Sequence, residues 1–417
     1  MNVGPHYTAA RSDYGERLGQ SLIPQSFSPE FRLAAACAMW PPSNRRTEAI
    51  RTATAGPLDW PSFLRVVRRH QMIGLAHEGL KRVRPDIPTE IAEEIGSQSA
   101  TLAQENLSIA RESLRLQRLF DDADLPMLFV KGVALSVLAF GNLNLRSSKD
   151  IDLLVNYETL PAATALILRA GYRRFDPPAD MNDAQLRLLM PLRKDLGFVH
   201  DATGLQLELH WRLFLNPHAM VETTFVTASR IVPLAGASGV RTLGDEDLFA
   251  YLCMHGALHW WYRLKWLADI NALLAAAPHG GVEHLVGAAK VKGAGRAAAQ
   301  ALLLCRRLLG TPLPDQLVAT LAKTATVRWL QATALDAMNT GLGEREPGEA
   351  RFGTTRGSLS TFLLNPSWRY WLAELRVHLI SQTDVLTVPL PKQLRFLYPV
   401  LRVPLWVWRH AVRRGAR

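Results

Sequence analysis

The apolar spacing of this chain predicts an α+β fold: a small mixed sheet flanked by N- and C-terminal helical regions. Three observations carry that reading. From about Pro29 to Leu119, apolar residues recur at i, i+3 and i+4 with charges between them, as in Ser62–Val67 and Leu102–Phe120. Between Asp121 and about Val240 the pattern shifts to short apolar runs and alternation. From Asp245 the helical spacing returns.

The elements follow in order. Met1–Phe27 is polar and turn-rich, without the apolar stretch of a secretory signal, and is expected to be disordered. A helical region over 28–120 comes next. The α/β unit, 121–240, should hold four or five strands. Leu125–Val130 and Lys149–Val155 read as strands, each followed by a helix (Gly132–Phe140 and Tyr157–Ala170). Gly171–Phe175 is a third strand after a glycine cap, and Asp195–His200 with Leu205–Leu213 forms a hairpin around Asp201-Ala202-Thr203-Gly204. The acidic run Asp245-Glu246-Asp247 opens a long helix, Leu248–Leu274, within a helical C-terminal domain over 241–388. Gly341–Ser360 reads as a loop and Trp368–Ser381 as an amphipathic helix. In the basic-aromatic tail, 389–417, Pro399 and Pro404 argue against one long helix. Packing on its own domain is the favoured reading of that tail; an anionic membrane surface and a peptide or nucleic-acid partner are the alternatives.

At 417 residues the chain can bury ordinary cores in two or three domains. A net charge of +11 points to an anionic partner such as a nucleotide, nucleic acid or acidic lipid, although an arginine-rich genome produces the same excess. Three scattered cysteines exclude a disulfide framework and fit a reducing, cytoplasmic setting. No apolar run is long enough to suggest a membrane span.

The chemistry concentrates in Val130-Lys131-Gly132-Val133-Ala134-Leu135 and Arg146-Ser147-Ser148-Lys149-Asp150-Ile151-Asp152-Leu153-Leu154-Val155. On a strand, Asp150 and Asp152 share one face about 7 Å apart, a spacing suited to divalent cations. In Gln206-Leu207-Glu208-Leu209-His210-Trp211-Arg212, Glu208 shares a face with Gln206 and His210. If the two strands pair, Glu208 completes a three-carboxylate set. The competing readings are a solvated strand end for the aspartates and a plain turn for Lys131-Gly132. For Arg146 the competing reading is a structural pairing with Asp150, and for His210 a hydrogen-bonded structural histidine.

Together these residues resemble the uncharacterised bacterial nucleotidyltransferases of the polymerase β-like superfamily. The resemblance rests on Lys131-Gly132-x-Ala134-Leu135, Arg146, Asp150-x-Asp152-Leu-Leu-Val, Glu208-x-His210-Trp211-Arg212, and a later stretch from His255 to Asp269. It implies a nucleotidyltransferase core with Asp150, Asp152 and Glu208 as ligands for Mg²⁺ (or Mn²⁺). The Lys131-Gly132 turn would stand where most of the superfamily has Gly-Ser, and Lys131, Gly132 and Arg146 would hold the phosphates of a nucleoside triphosphate such as ATP. It also implies transfer of an NMP to a small-molecule or peptide acceptor. The alternatives are an RNA-directed or toxin-like transferase, nucleic acid being possible but not favoured, and a non-catalytic nucleotide-binding accessory protein.

The same stretch offers His210 and Arg263 as further nucleotide-site residues. For Arg263 and Lys265 the favoured reading is nonetheless a solvated helix face. His255 and His259 have zinc-like i, i+4 spacing, but Gly256 stands where a zinc protease needs an acid, so core roles are favoured. An Asp152→Ala change is expected to abolish turnover with little loss of stability, by relieving like-charge repulsion.

Overall fold

The first helix begins where a side chain can cap it. Ser28 Oγ accepts from the Phe31 amide at 3.2 Å, and Pro29 presets φ in the first turn. The N-terminal helices are α1 (Pro29–Ala38), α2 (Asn44–Thr54), α3 (Trp60–Arg69), α4 (Ile73–Val83) and α5 (Thr89–Asp122). The computed structural model describes residues 26–221, 229–234, 239–278, 280–339 and 354–415. Most of Met1–Phe27 therefore lies outside the described residues. Phe27 itself corrects the expected disorder: it is buried and stacks on Phe31.

The central unit runs β1 (Met127–Phe129), α6 (Val133–Phe140), β2 (Asp150–Val155), α7 (Leu160–Arg169), β3 (Tyr172–Asp176), α8 (Asp183–Leu189), β4 (Asp195–His200), β5 (Gln206–His210), β6 (Ser229–Pro233) and β7 (Gly239–Leu243). These form one seven-stranded mixed sheet in the order β3-β4-β5-β2-β1-β7-β6. The expectation of four or five strands missed the β6–β7 pair. That pair joins the sheet beside β1, where Thr242 Oγ1 donates to Phe129 O at 2.6 Å. The expected β4–β5 hairpin is present, with β5 ending at His210. β1 runs antiparallel to β2, and β2 runs parallel to β5.

Alternation gives the sheet two apolar faces. Ile151, Leu153, Leu207 and Leu209 pack with Phe120 of α5 and Ile167 of α7. Leu128, Val130 and Leu154 face a larger core that runs from Phe31 through Leu248 to Leu302 and Tyr370. The N- and C-terminal helices thus share one core, on the face that carries the acids.

The C-terminal helices are α9 (Asp245–Leu258), α10 (Leu264–Ala276), α11 (Gly281–Val291), α12 (Gly295–Leu304), α13 (Asp315–Ala322), α14 (Ala325–Asn339), α15 (Thr354–Phe362), α16 (Trp368–Leu379), α17 (Gln382–Thr387) and α18 (Tyr398–Gly415). The long helix expected over Leu248–Leu274 is broken. Trp260 and Trp261 both have φ of 54°, and Trp261 folds back over Gly256, where a Cβ would meet its ring at 2.4 Å. Trp261 Nε1 also donates to Gln300 at 3.1 Å. Burying that indole offsets two left-handed residues.

Of the loop expected over Gly341–Ser360, residues 341–353 lie outside the described residues and the remainder is helical in α15. The tail also departs from expectation, since α18 is one helix with Pro404 inside it. Pro399 sits in the first turn, where a missing amide costs nothing, and Pro404 removes a single ladder bond. Among the described residues no helix is long and apolar enough to cross a membrane.

Candidate active site

After β1 the backbone turns at Gly132 with φ 73° and ψ −137°, a conformation closed to residues bearing a Cβ. The turn brings Lys131 to the two aspartates of β2. Its Nζ lies 3.2 Å from Asp152 Oδ2 and 3.8 Å from Asp150 Oδ2. The parallel register sets Asp152 directly opposite Glu208, and Leu154 opposite His210. His210 Nε2 lies 3.2 Å from both Asp152 Oδ1 and Glu208 Oε2. Its other ring nitrogen faces Lys194 Nζ at 3.4 Å and Asp195 Oδ2 at 3.7 Å.

Burial disfavours every charge here, so a shift toward the charged form reflects a partner. Against burial, Asp152 and Asp150 hold the Lys131 ammonium above its ordinary value. Against burial, Lys131 and His210 hold the Asp152 carboxyl well below the usual range. Asp150, by contrast, is pushed up by burial and by the neighbouring Asp152 charge. For His210, burial and Lys194 pull downward, but the Asp152 and Glu208 carboxylates prevail and raise it.

The donor set fits a divalent cation. Ligand atoms of Asp152, Glu208 and His210 all lie within 4.8 Å of one another, and no other such cluster of three occurs among the described residues. Asp152 Oδ2 is buried and lacks a well-aligned hydrogen bond, with Lys131 Nζ 3.2 Å away. Asp150 shares the strand face at its more open end.

Behind this layer Arg146 is buried, with Nε 2.9 Å from Asp269 Oδ1 and Nη1 3.4 Å from both Gly132 O and Ser148 Oγ. It pairs with Asp269 rather than with Asp150, and it braces the Lys131-Gly132 turn. Asn106 Nδ2 in turn holds Arg146 O at 2.9 Å. The solvated face expected for Lys265 is corrected. Its Nζ contacts Gln71 and lies 3.3 Å from Ser147 O, and burial together with Arg146 drives its affinity for a proton well down. Arg263 immediately precedes α10, its guanidinium 5.3 Å from the Tyr262 ring centroid. His255 and His259 stack with ring centroids 4.7 Å apart against Trp266, outside any ligand cluster among the described residues.

Sequence reasoning missed Lys194, Asp195, Asn106 and Gln71. None sits in a motif; the β4–β5 register brings in Lys194 and Asp195, the packing of α5 brings in Asn106, and the turn between α3 and α4 brings in Gln71.

The mixed sheet thus brings an Asp-x-Asp strand, a facing glutamate strand and a lysine-glycine turn together. The chain belongs to a family described as uncharacterised nucleotidyltransferase, which matches residues 56–310 and so spans every site residue above. It is accordingly a nucleotidyltransferase. No curated protein matches the chain.

Proposed function

We propose that the enzyme transfers an NMP from an NTP, ATP among the candidates, to a hydroxyl of a small-molecule or peptide acceptor. The observation that carries this reading is the register pair Asp152–Glu208, with Lys131 closing on it from the neighbouring strand. Asp150, Asp152 and Glu208 would hold Mg²⁺ or Mn²⁺, with His210 beside them. The metal would neutralise triphosphate charge and acidify the attacking hydroxyl.

The chain's own groups divide the remaining work. Lys131 and the backbone at Gly132 hold phosphate oxygens at the start of α6, where amides point outward. Arg146 positions that turn, and Arg263 adds positive potential behind it. The acceptor is assigned to a cavity of about 450 Å³ lined by Leu154, Tyr157, Trp211 and Arg212, which follow Asp152 and His210 in the chain; Asp150, Asp152 and Glu208 do not line it. The acceptor oxygen bonds to the α-phosphorus, the α–β phosphoanhydride bond breaks, and pyrophosphate leaves. Glu208 takes up the hydroxyl proton.

Calorimetric titration with each NTP, with and without Mg²⁺, on wild type and on Asp150→Ala/Asp152→Ala tests this. Metal-dependent binding to wild type that disappears in the variant is expected. Equal binding by both proteins would overturn the site assignment.

A further inference from the structure

Helix α16 is amphipathic in the wrong sense for a helix that merely packs on its own domain. Its outward residues are Trp368, Trp371, Leu372 and Leu375, at i, i+3, i+4 and i+7, and they are 65%, 47%, 57% and 44% exposed. Its inward face is anchored by polar contacts. Tyr370 Oη donates to Thr361 O at 2.7 Å, and Asn216 Nδ2 donates to Glu374 Oε2 at 2.8 Å. Hydrogen bonds thus hold the helix in place while its apolar stripe is left facing out.

The sequence that carries that stripe is strongly basic. Residues 366–417 contain nine arginines and lysines against two acids, most of the net charge of the whole chain. Both acids, Glu374 and Asp384, are buried. Arg369 and Arg376 flank the stripe on α16 itself, and α18 packs against α16. Twelve residues are too few to span a bilayer. Exposed tryptophans beside arginines, with no exposed acid, match the headgroup level of an anionic membrane.

We propose that the α16 face docks the enzyme on an anionic lipid bilayer, with the tryptophans and leucines in the interface and the arginines on lipid phosphates. The same helix also walls a cavity of about 510 Å³, which shares Pro191, Arg212 and Pro217 with the cavity lined by Leu154. Docking would therefore turn the acceptor side of the active site toward the bilayer.

The test is co-sedimentation of the full chain with vesicles, either of phosphatidylcholine alone or of phosphatidylcholine mixed with phosphatidylglycerol. Neither nucleotide nor divalent metal is added, so failure here and failure of the proposed activity are separate results. Wild type should partition at least about tenfold more into the anionic vesicles and should be released by salt, which screens such contacts. Trp368→Ser/Leu372→Ser should abolish that preference, while Val291→Ser, also at an exposed apolar residue, should keep it. An absence of wild-type binding, or binding unchanged in the double variant, would overturn the proposal. So would a soluble oligomer that forms through α16 in place of vesicle binding.

Discussion

Lys131 Nζ sits 3.2 Å from Asp152 Oδ2, so the protein's own cation stands beside the carboxylate that a metal would use. Lys131 keeps two neighbouring acids tolerable before any ligand arrives. Lys131→Met should therefore lose about 1–3 kcal/mol of stability in chelator, less than a fully buried pair because Lys131 is partly exposed. Mg²⁺ should restore more of that stability in the variant than it adds to wild type. Thermal unfolding in chelator and in Mg²⁺ measures both shifts, and equal metal shifts would contradict the arrangement.

The same contact reverses the stability effect first expected for Asp152→Ala. Removing Asp152 relieves repulsion with Asp150 but leaves Lys131 and His210 without their main partner. Turnover should vanish, and stability should fall by about 1–3 kcal/mol rather than stay level. Urea unfolding of Asp152→Ala against wild type decides it. An unchanged midpoint would mean that the repulsion dominated after all.

Gly132 makes a narrower test. Its substitution meets open space, the nearest atom to an added Cβ being Asp150 O at 3.8 Å, so only backbone conformation is at stake. Gly132→Ala should cost about 1–3 kcal/mol of stability, because φ 73° with ψ −137° is a region held essentially by glycine alone. It should lower kcat/KM well beyond what that stability loss explains, because Lys131 moves with the turn. Activity within twofold of wild type would remove the turn from the mechanism.

Much of the site was legible because strands project alternate residues. Asp150, Asp152, Glu208 and His210 could be given a common face from spacing alone, and the register confirms that they share it. The two apolar runs around them, Leu125–Val130 and Lys149–Val155, were legible for the same reason. Contacts distant in sequence were not. Arg146 meets Asp269 across 123 positions, and no local pattern distinguishes an arginine that grips phosphate from one that grips a buried aspartate. The break at Trp260-Trp261 was hidden because its cause, an indole packed on Gly256, is tertiary. The pair β6–β7 escaped because two five-residue strands, one ending in proline, give almost no periodic signal.

The Arg146–Asp269 pair gives a test of positioning against clamping. Asp269→Asn leaves a buried guanidinium without its counter-charge, which should cost about 3–5 kcal/mol by chemical denaturation. A loss below about 1 kcal/mol would mean that Arg146 turns outward, where it could bind phosphate directly.

His70 ties the N-terminal helices to the second layer of the site. Its Nδ1 accepts the Leu264 amide at 3.0 Å, and its carbonyl accepts the Lys265 amide at 3.3 Å, so it holds the start of the helix bearing Lys265 and Asp269. Burial, then the charges of Arg69 and Arg263, lower its pKa to about 3. The unfolded chain takes up this proton near pH 6.5, so between those values the unfolded state binds more protons and stability rises with pH. The contribution is complete above about pH 6.5, and about 2 kcal/mol of it should be lost between pH 7 and pH 5. His70→Gln should start less stable but lose correspondingly less over that interval, when unfolding is measured by denaturant titration at both pH values. Parallel slopes for the two proteins would show that His70 is not the group that carries the acid sensitivity.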